Sequence, residues 1–137
     1  ACQFLGAVVA PFNWRAKPEE VDYCAADAGA VAVAFDPAGA AAVAGSAFCG
    51  RIPRIAVGGA TGGTVAFADL CSVKAPPLQP AASADDLSVL LYTSGTTGRP
   101  KGVPRRHRAE RAAALAHVAQ NLYRPGEVAL GVMPMYH

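Results

Sequence analysis

Short apolar runs alternate along the chain with longer stretches in which apolar residues recur every three or four positions. This alternation predicts the order of the strands and helices. Strands are predicted at residues 7–11, 31–35, 54–57, 87–91 and 128–133. Helices are predicted at residues 18–28, 37–48, 65–71 and 105–123. Because strands that alternate with helices favour parallel pairing, the pattern predicts an α/β fold with a mainly parallel sheet and flanking helices.

Two of the predicted helices carry further signals. The helix at 18–28 begins with Pro18, and Glu19 and Glu20 follow in its first turn, where negative charge suits the helix dipole. The helix at 105–123 has a single apolar face. That face consists of Ala112, Leu115, Ala116, Ala119 and Leu122.

Two segments between these elements are predicted to be surface structure. Residues 58–64, GGATGGT, are rich in glycine, but no lysine follows them and they match no fixed phosphate-binding pattern. We interpret them as a turn or hairpin rather than a ligand site. Residues 74–84, KAPPLQPAASA, form a Pro/Ala-rich surface connector.

The segment at 92–102, YTSGTTGRPKG, has the composition of a loop that wraps phosphates. Gly95 and Gly98 allow the backbone to approach a ligand closely, and successive N–H groups in such turns form an anion nest. The hydroxyl groups of three neighbouring residues can donate hydrogen bonds, and Lys101 adds a mobile positive charge. The spacing is neither that of the Walker loop nor that of the dinucleotide-binding G-x-G-x-x-G loop.

This segment resembles the phosphate-binding signature of the adenylate-forming ligases, a superfamily that includes the acyl-CoA and aryl-CoA synthetases. Their pattern T-S-G-T-T-G-x-P-K-G is matched from Thr93 to Gly102 at all nine specified positions. A flexible Ser/Gly linker is disfavoured because the segment contains Thr-Thr and Pro-Lys and follows an apolar strand. Three other stretches resemble the same family: residues 7–15 (AVVAPFNWR), 18–28 (PEEVDYCAADA) and 132–137 (VMPMYH).

The resemblance implies an ATP-dependent acid–CoA ligase with ATP, magnesium and coenzyme A as substrates or cofactors. It implies that the phosphates of ATP are held by Thr93, Ser94, Gly95, Thr96, Thr97, Gly98 and Lys101. His137 matches a position that lines the acyl pocket, which suits an aromatic or medium-chain carboxylic acid. Its alternative is a turn histidine that contacts no ligand. No residue of this chain matches the family's catalytic or metal-binding positions.

Several elements of the superfamily lack a counterpart in this sequence. These are the Y-G-x-T-E segment, the aspartate that binds the ribose, and the C-terminal domain with its lysine. We therefore expect residues 1–137 to be part of the large N-terminal AMP-binding domain and to be inactive alone. A truncated, non-catalytic nucleotide-binding or interaction module is the alternative, and the oligomeric state stays open.

Positive charge is concentrated in one part of the chain, at and just after the signature segment. Net charge is +2, but six of the twelve basic residues lie in residues 99–111, with Glu110 as the only acidic residue there. This cluster would attract a polyanion such as ATP, or it forms a solvated helix face. Nucleic-acid binding is disfavoured because no aromatic residues are interleaved with the arginines.

The remaining composition indicates a single globular domain in the cytoplasm. With 137 residues and 53% hydrophobic content, the chain can form a core. It has no apolar run near the roughly 20 residues of a membrane span, and no segment resembling a secretory signal. Its four cysteines contain no C-x-x-C pair, so we expect buried, reduced thiols.

Overall fold

A computed structural model describes residues 2–74, 78–93 and 98–132. The chain divides into two compact units. The large unit comprises Phe12–Leu78 and Tyr92–Gly102, and the small unit comprises Ala1–Pro11, Gln79–Leu91 and Val103–His137. Each unit is described by itself.

The large unit contains a three-stranded parallel sheet with helices between its strands. Its elements in chain order are α1 (Pro18–Asp27), β1 (Val33–Phe35), α2 (Ala40–Gly45), β2 (Arg54–Ala56), β3 (Val65–Ala66) and α3 (Phe67–Ser72). The strand order is β1-β2-β3, with Val33 opposite Arg54 and Ile55 opposite Val65. A 3₁₀ turn, Cys49–Arg51, precedes β2.

The core of the large unit lies where α1 and α2 pack beside β1. Its buried residues are Val21, Ala25, Phe35, Val43 and Cys49. Helix α1 begins as its sequence predicts, because Pro18 occupies the first turn and the Glu20 carboxylate accepts a 2.8 Å hydrogen bond from the Lys17 N–H.

Asp22 joins α1 to the turn that follows α2. Its Oδ1 accepts hydrogen bonds from the Phe48 N–H at 2.7 Å and from the Ser46 hydroxyl at 2.8 Å. The Phe48 N–H and the Ser46 hydroxyl hold the pKa of Asp22 below its ordinary value, because both favour the ionised carboxylate. The buried Ser46 is thereby satisfied, and the two helices are held together.

The small unit contains most of a strand pair and the longest helix. Strand β4 (Leu87–Thr93) pairs with β5 (Lys101–Arg106), and the residues of both strands are divided between the two units. The connection, residues 94–100, is too short for a parallel crossover, so the two strands form a hairpin. Helix α4 (His107–Asn121) follows β5 directly. Val9 forms a parallel bridge with Val89, and Gln3 Nε2 donates a 2.6 Å hydrogen bond to the buried Ser88 hydroxyl.

The predicted α/β class with a parallel sheet is confirmed, and most elements lie near their predicted positions. Residues 58–64 form turns, as predicted. The predicted strand at 7–11 is reduced to the single bridge at Val9, and the helix predicted at 37–48 contracts to Ala40–Gly45.

Three predictions were wrong. Residues 65 and 66, assigned to a helix from the sequence, instead form β3, because they pair with β2. Residues 128–132 form no strand, and Val128 is fully exposed. Apolar content alone indicated that strand, but a strand also needs a neighbour to pair its backbone groups. Residues 105 and 106, assigned to a helix from the sequence, instead end β5, because pairing with β4 extends the chain up to His107.

Candidate functional site

The two ends of the signature segment lie together at one end of the hairpin. Thr93 is the last residue of β4 and Lys101 is the first of β5, and both are exposed. The predicted phosphate-binding residues Ser94, Gly95, Thr96 and Thr97 lie outside the described residues, and so does His137. Their assigned roles therefore stay predictions.

Gly98 has the backbone conformation that the loop sequence predicts. Its φ is +86°, a region that L side chains rarely adopt, and no atom of the described residues lies within 4 Å of the position that a Cβ would occupy. The space beside this backbone is therefore not filled by the described part of the chain. Such open backbone is suited to an external ligand.

The end of β4, which leads into the segment and is called its outgoing arm, contacts α1 through Tyr92. Its hydroxyl donates a 2.6 Å hydrogen bond to Asp27 Oδ2, and its ring lies 5.5 Å from the ring of Phe12. Burial, and then the hydrogen bond to Asp27, raise the pKa of Tyr92 above its ordinary value. The hydroxyl therefore remains protonated, and able to donate, at neutral pH.

Residues 98–101, which lead out of the segment into β5 and are called its return arm, contact the same helix through Arg99. Its guanidinium lies over the ring of Tyr23 at 5.5 Å from the ring centre, within the range of a cation–π contact. Tyr23 and Asp27 are four residues apart on α1 and so lie on one face of it. Sequence reasoning missed both residues, although their spacing within a predicted helix is visible in the sequence.

The arginines beyond the loop mostly have partners inside the small unit. Arg105 forms an ion pair with Glu110, and Arg108 forms one with Asp85 at 2.7 Å. The Arg106 guanidinium donates to the backbone oxygen of Asp85. These contacts fit the interpretation of the cluster as a solvated surface. Lys101 takes part in neither ion pair found in the described parts of the chain.

The thiols differ from the expectation of four buried cysteines. Cys24 and Cys49 are buried, but Cys2 and Cys71 are exposed, and all four are free. Cys2 lies in a short N-terminal 3₁₀ turn and Cys71 on α3, neither of which has a buried residue. Burial, with the nearby charges of Asp27 and Glu20, raises the pKa of Cys24 to about 11, so this thiol is a poor nucleophile at neutral pH.

Comparison with known proteins decides the family. The model of the AMP-binding enzyme family matches residues 1–137. The chain belongs to the AMP-binding enzymes. This agrees with the adenylate-forming ligase resemblance drawn from the signature at 93–102.

Among its curated relatives are CoA ligases of aromatic acids. A feruloyl-CoA synthase from Amycolatopsis sp is 36% identical over 107 residues, covering 78% of this chain and 20% of the relative. The 4-coumarate–CoA ligase 5 of Oryza sativa subsp. japonica is 36% identical over 143 residues, covering 97% and 25%. The chain thus spans about a fifth to a quarter of the length of these relatives.

Solved structures of AMP-binding enzymes share the fold. ATP-bound MatB from Rhodopseudomonas palustris matches with a TM-score of 0.74 and 30% identity, covering 96% of this chain and 26% of that one. The anthranilate CoA ligase AuaEII, in complex with anthranoyl-AMP, matches with a TM-score of 0.67 and 27% identity, covering 82% and 22%. Within residues 2–74, 78–93 and 98–132, no helix is both long and apolar enough to cross a membrane.

Proposed function

We propose that this chain is part of an ATP-dependent carboxylic acid–CoA ligase, and that Tyr92–Gly102 holds the β- and γ-phosphates of ATP. One observation carries the proposal: the nine-position signature runs from the last residue of β4 to the second residue of β5, in a chain that matches the family along its whole length. The exposed Thr93 and Lys101 and the open backbone at Gly98 support it.

The proposed reaction has two steps. A carboxylate oxygen of the acid attacks the α-phosphorus of ATP, and the bond to the β-phosphate breaks to give an acyl-adenylate and pyrophosphate. The sulfur of CoA then attacks the acyl carbon, its proton is released, and AMP leaves with the electron pair of the acyl–oxygen bond. Negative charge grows on the leaving pyrophosphate in the first step, so preorganised N–H, hydroxyl and ammonium donors at 93–101 would stabilise it.

Magnesium enters the proposal with the nucleotide. In the described ranges 2–74, 78–93 and 98–132, no three acidic, histidine or cysteine side chains are grouped so as to hold a metal ion. We expect the ion to be bound through the phosphates of ATP.

Aromatic acids are the proposed substrate class. The relatives named above act on ferulate and coumarate, and the related anthranilate ligase holds anthranoyl-AMP. His137 is proposed to line the acyl pocket, together with the apolar residues that precede it in the sequence.

The proposal is tested by pyrophosphate release from the protein expressed from the intact gene, with a panel of aromatic and aliphatic acids. An aromatic acid such as ferulate should give ATP- and CoA-dependent turnover. Lys101→Ala should slow pyrophosphate release about 10- to 100-fold, because a charge-assisted bond to the leaving phosphates is lost. Lys74→Ala, which removes an exposed lysine far from the signature in sequence, is the matched control and should leave the rate unchanged. Equal rates for the Lys101 and Lys74 variants would refute the phosphate role.

A further inference from the structure

We propose that Tyr23 and Asp27 of α1 are positioning residues that hold the two arms of the phosphate-binding loop in register for adenylation. The proposal deepens the function proposed above and rests on it. We call these two residues with Tyr92 and Arg99 the α1 clamp. All four belong to the large unit.

The clamp joins the phosphate-binding loop to α1 at two places, one before Thr93 and one before Lys101. On the outgoing side, the Tyr92 hydroxyl donates to Asp27 at 2.6 Å, directly before Thr93. On the return side, Arg99 lies 5.5 Å from the centre of the Tyr23 ring, two residues before Lys101. Thr93 therefore directly follows one contact with α1, and Lys101 lies two residues after the other.

The helix that supplies the clamp is itself well anchored. Val21, Cys24 and Ala25 of α1 are buried, and Asp22 is bonded to the turn after α2. The face that carries Tyr23 and Asp27 is thus fixed by the core and not by the loop. A loop rich in glycine has much backbone freedom to lose, so two contacts to a fixed helix reduce the range of positions open to its donors.

Positioning and simple stabilisation predict different results. A misplaced donor contributes less to the transition state, so breaking the clamp should lower the rate at saturating ATP. Loss of folded protein would instead lower the active fraction and the thermal midpoint together. The readout is therefore kcat for ATP–pyrophosphate exchange, measured beside the KM for ATP and the thermal midpoint, with the protein expressed from the intact gene.

The outgoing contact is tested by a double-mutant cycle between Asp27 and Tyr92. Asp27→Ala and Tyr92→Phe should each lower kcat about 3- to 10-fold, and the double variant should lose no more than either single one, since one hydrogen bond is removed in all three. Asp27→Asn keeps an acceptor oxygen for the Tyr92 hydroxyl and should retain most of the rate. Asp69→Ala, which removes an exposed aspartate on α3, is the matched control.

The return contact is tested at Tyr23. Tyr23→Leu should lower kcat by a smaller factor, about 2- to 5-fold, because a cation–π contact at an exposed site is weak. Tyr23→Phe keeps a ring face under Arg99 and should be close to the parent.

The outcomes separate the clamp from the loop function. Losses that multiply in the Asp27 and Tyr92 double variant, or a slow Asp27→Asn variant, would overturn the clamp. An unchanged Asp27→Ala rate would also overturn it where Lys101→Ala is slow, and the phosphate proposal would then stand alone. An unchanged Lys101→Ala rate would overturn the phosphate proposal and the catalytic role of the clamp together.

Discussion

Two glycine-rich loops of this chain differ in the space beside their glycines. Residues 58–64 join β2 to β3, and their Gly63 lies against the neighbouring strand: a Cβ there would be 2.7 Å from the Ala56 Cβ and 3.0 Å from the Arg54 oxygen. Thr64 also bonds Arg54, donating its N–H at 2.7 Å and accepting the Arg54 N–H at 2.8 Å. In the loop at 92–102, no atom of residues 2–74, 78–93 or 98–132 lies within 4 Å of the Cβ position of Gly98.

The difference teaches that glycine content alone does not mark a phosphate site. At Gly63 the missing side chain leaves room for the protein's own strand, and no basic residue lies in 58–64. In 92–102 no described atom lies within 4 Å of the Cβ position of Gly98, and two cations, Arg99 and Lys101, follow the glycines. Charge, hydroxyl groups and open backbone together indicate an anion site, whereas glycine by itself indicates a turn or a close contact.

The largest expected effect on stability comes from filling the contact at Gly63. Gly63→Ala should lower the free energy of unfolding by about 1–3 kcal/mol, because the new methyl group overlaps β2. Gly50→Ala is the control, since a Cβ at Gly50 meets nothing within 4 Å. Urea denaturation of the two variants measures the difference. Equal urea midpoints for the two variants would contradict the prediction, because they would show that β2 and the loop can move apart at no cost in stability.

A smaller effect separates the loops by function. Gly98 (φ +86°) and Gly62 (φ +81°) both have positive φ, and no described atom lies within 4 Å of the Cβ position of either. Alanine at either position should cost about 1 kcal/mol of backbone strain. Only Gly98→Ala should also slow ATP–pyrophosphate exchange, about 3- to 10-fold, because only that backbone is proposed to contact phosphate. Equal exchange rates in the two variants would contradict the functional distinction between the loops.

Local signals made the first helix of the large unit predictable. Pro18 and the two glutamates that follow it set the start of α1, which the sequence placed within a residue of its observed end. The turn at residues 58–64 was also predictable, because clustered glycines favour turns. The absence of a cation from 58–64 argued against a phosphate site there. The close contact at Gly63 was not predictable, since it depends on how β2 and β3 pair.

Pairing between distant segments decided what the sequence could not show. β5 has a mostly polar sequence, KGVPRR, and forms a strand because β4 lies beside it. Leu115 and Leu122 were predicted on one apolar face of the helix at 105–123, yet both are exposed, Leu122 lies just beyond α4, and α4 has no buried residue. Periodicity predicts a face but not what covers it.

Only part of the candidate site could likewise be predicted from the sequence. Its signature was visible as a contiguous motif, from Thr93 to Gly102. The contacts that hold its arms were not visible, because Tyr92 and Asp27 are 65 residues apart in the sequence. Only the fold brings them together, through the position of α1.

The central claim, that residues 92–102 and not 58–64 bind the phosphates of ATP, is tested most directly by a matched pair of threonines. Thr96→Ala and Thr61→Ala each remove one hydroxyl from a glycine-rich loop, in the protein expressed from the intact gene. ATP–pyrophosphate exchange should slow about 10- to 100-fold in Thr96→Ala, through loss of one charge-assisted hydrogen bond, and stay unchanged in Thr61→Ala. Unchanged exchange in Thr96→Ala, or equal losses in both variants, would contradict the claim.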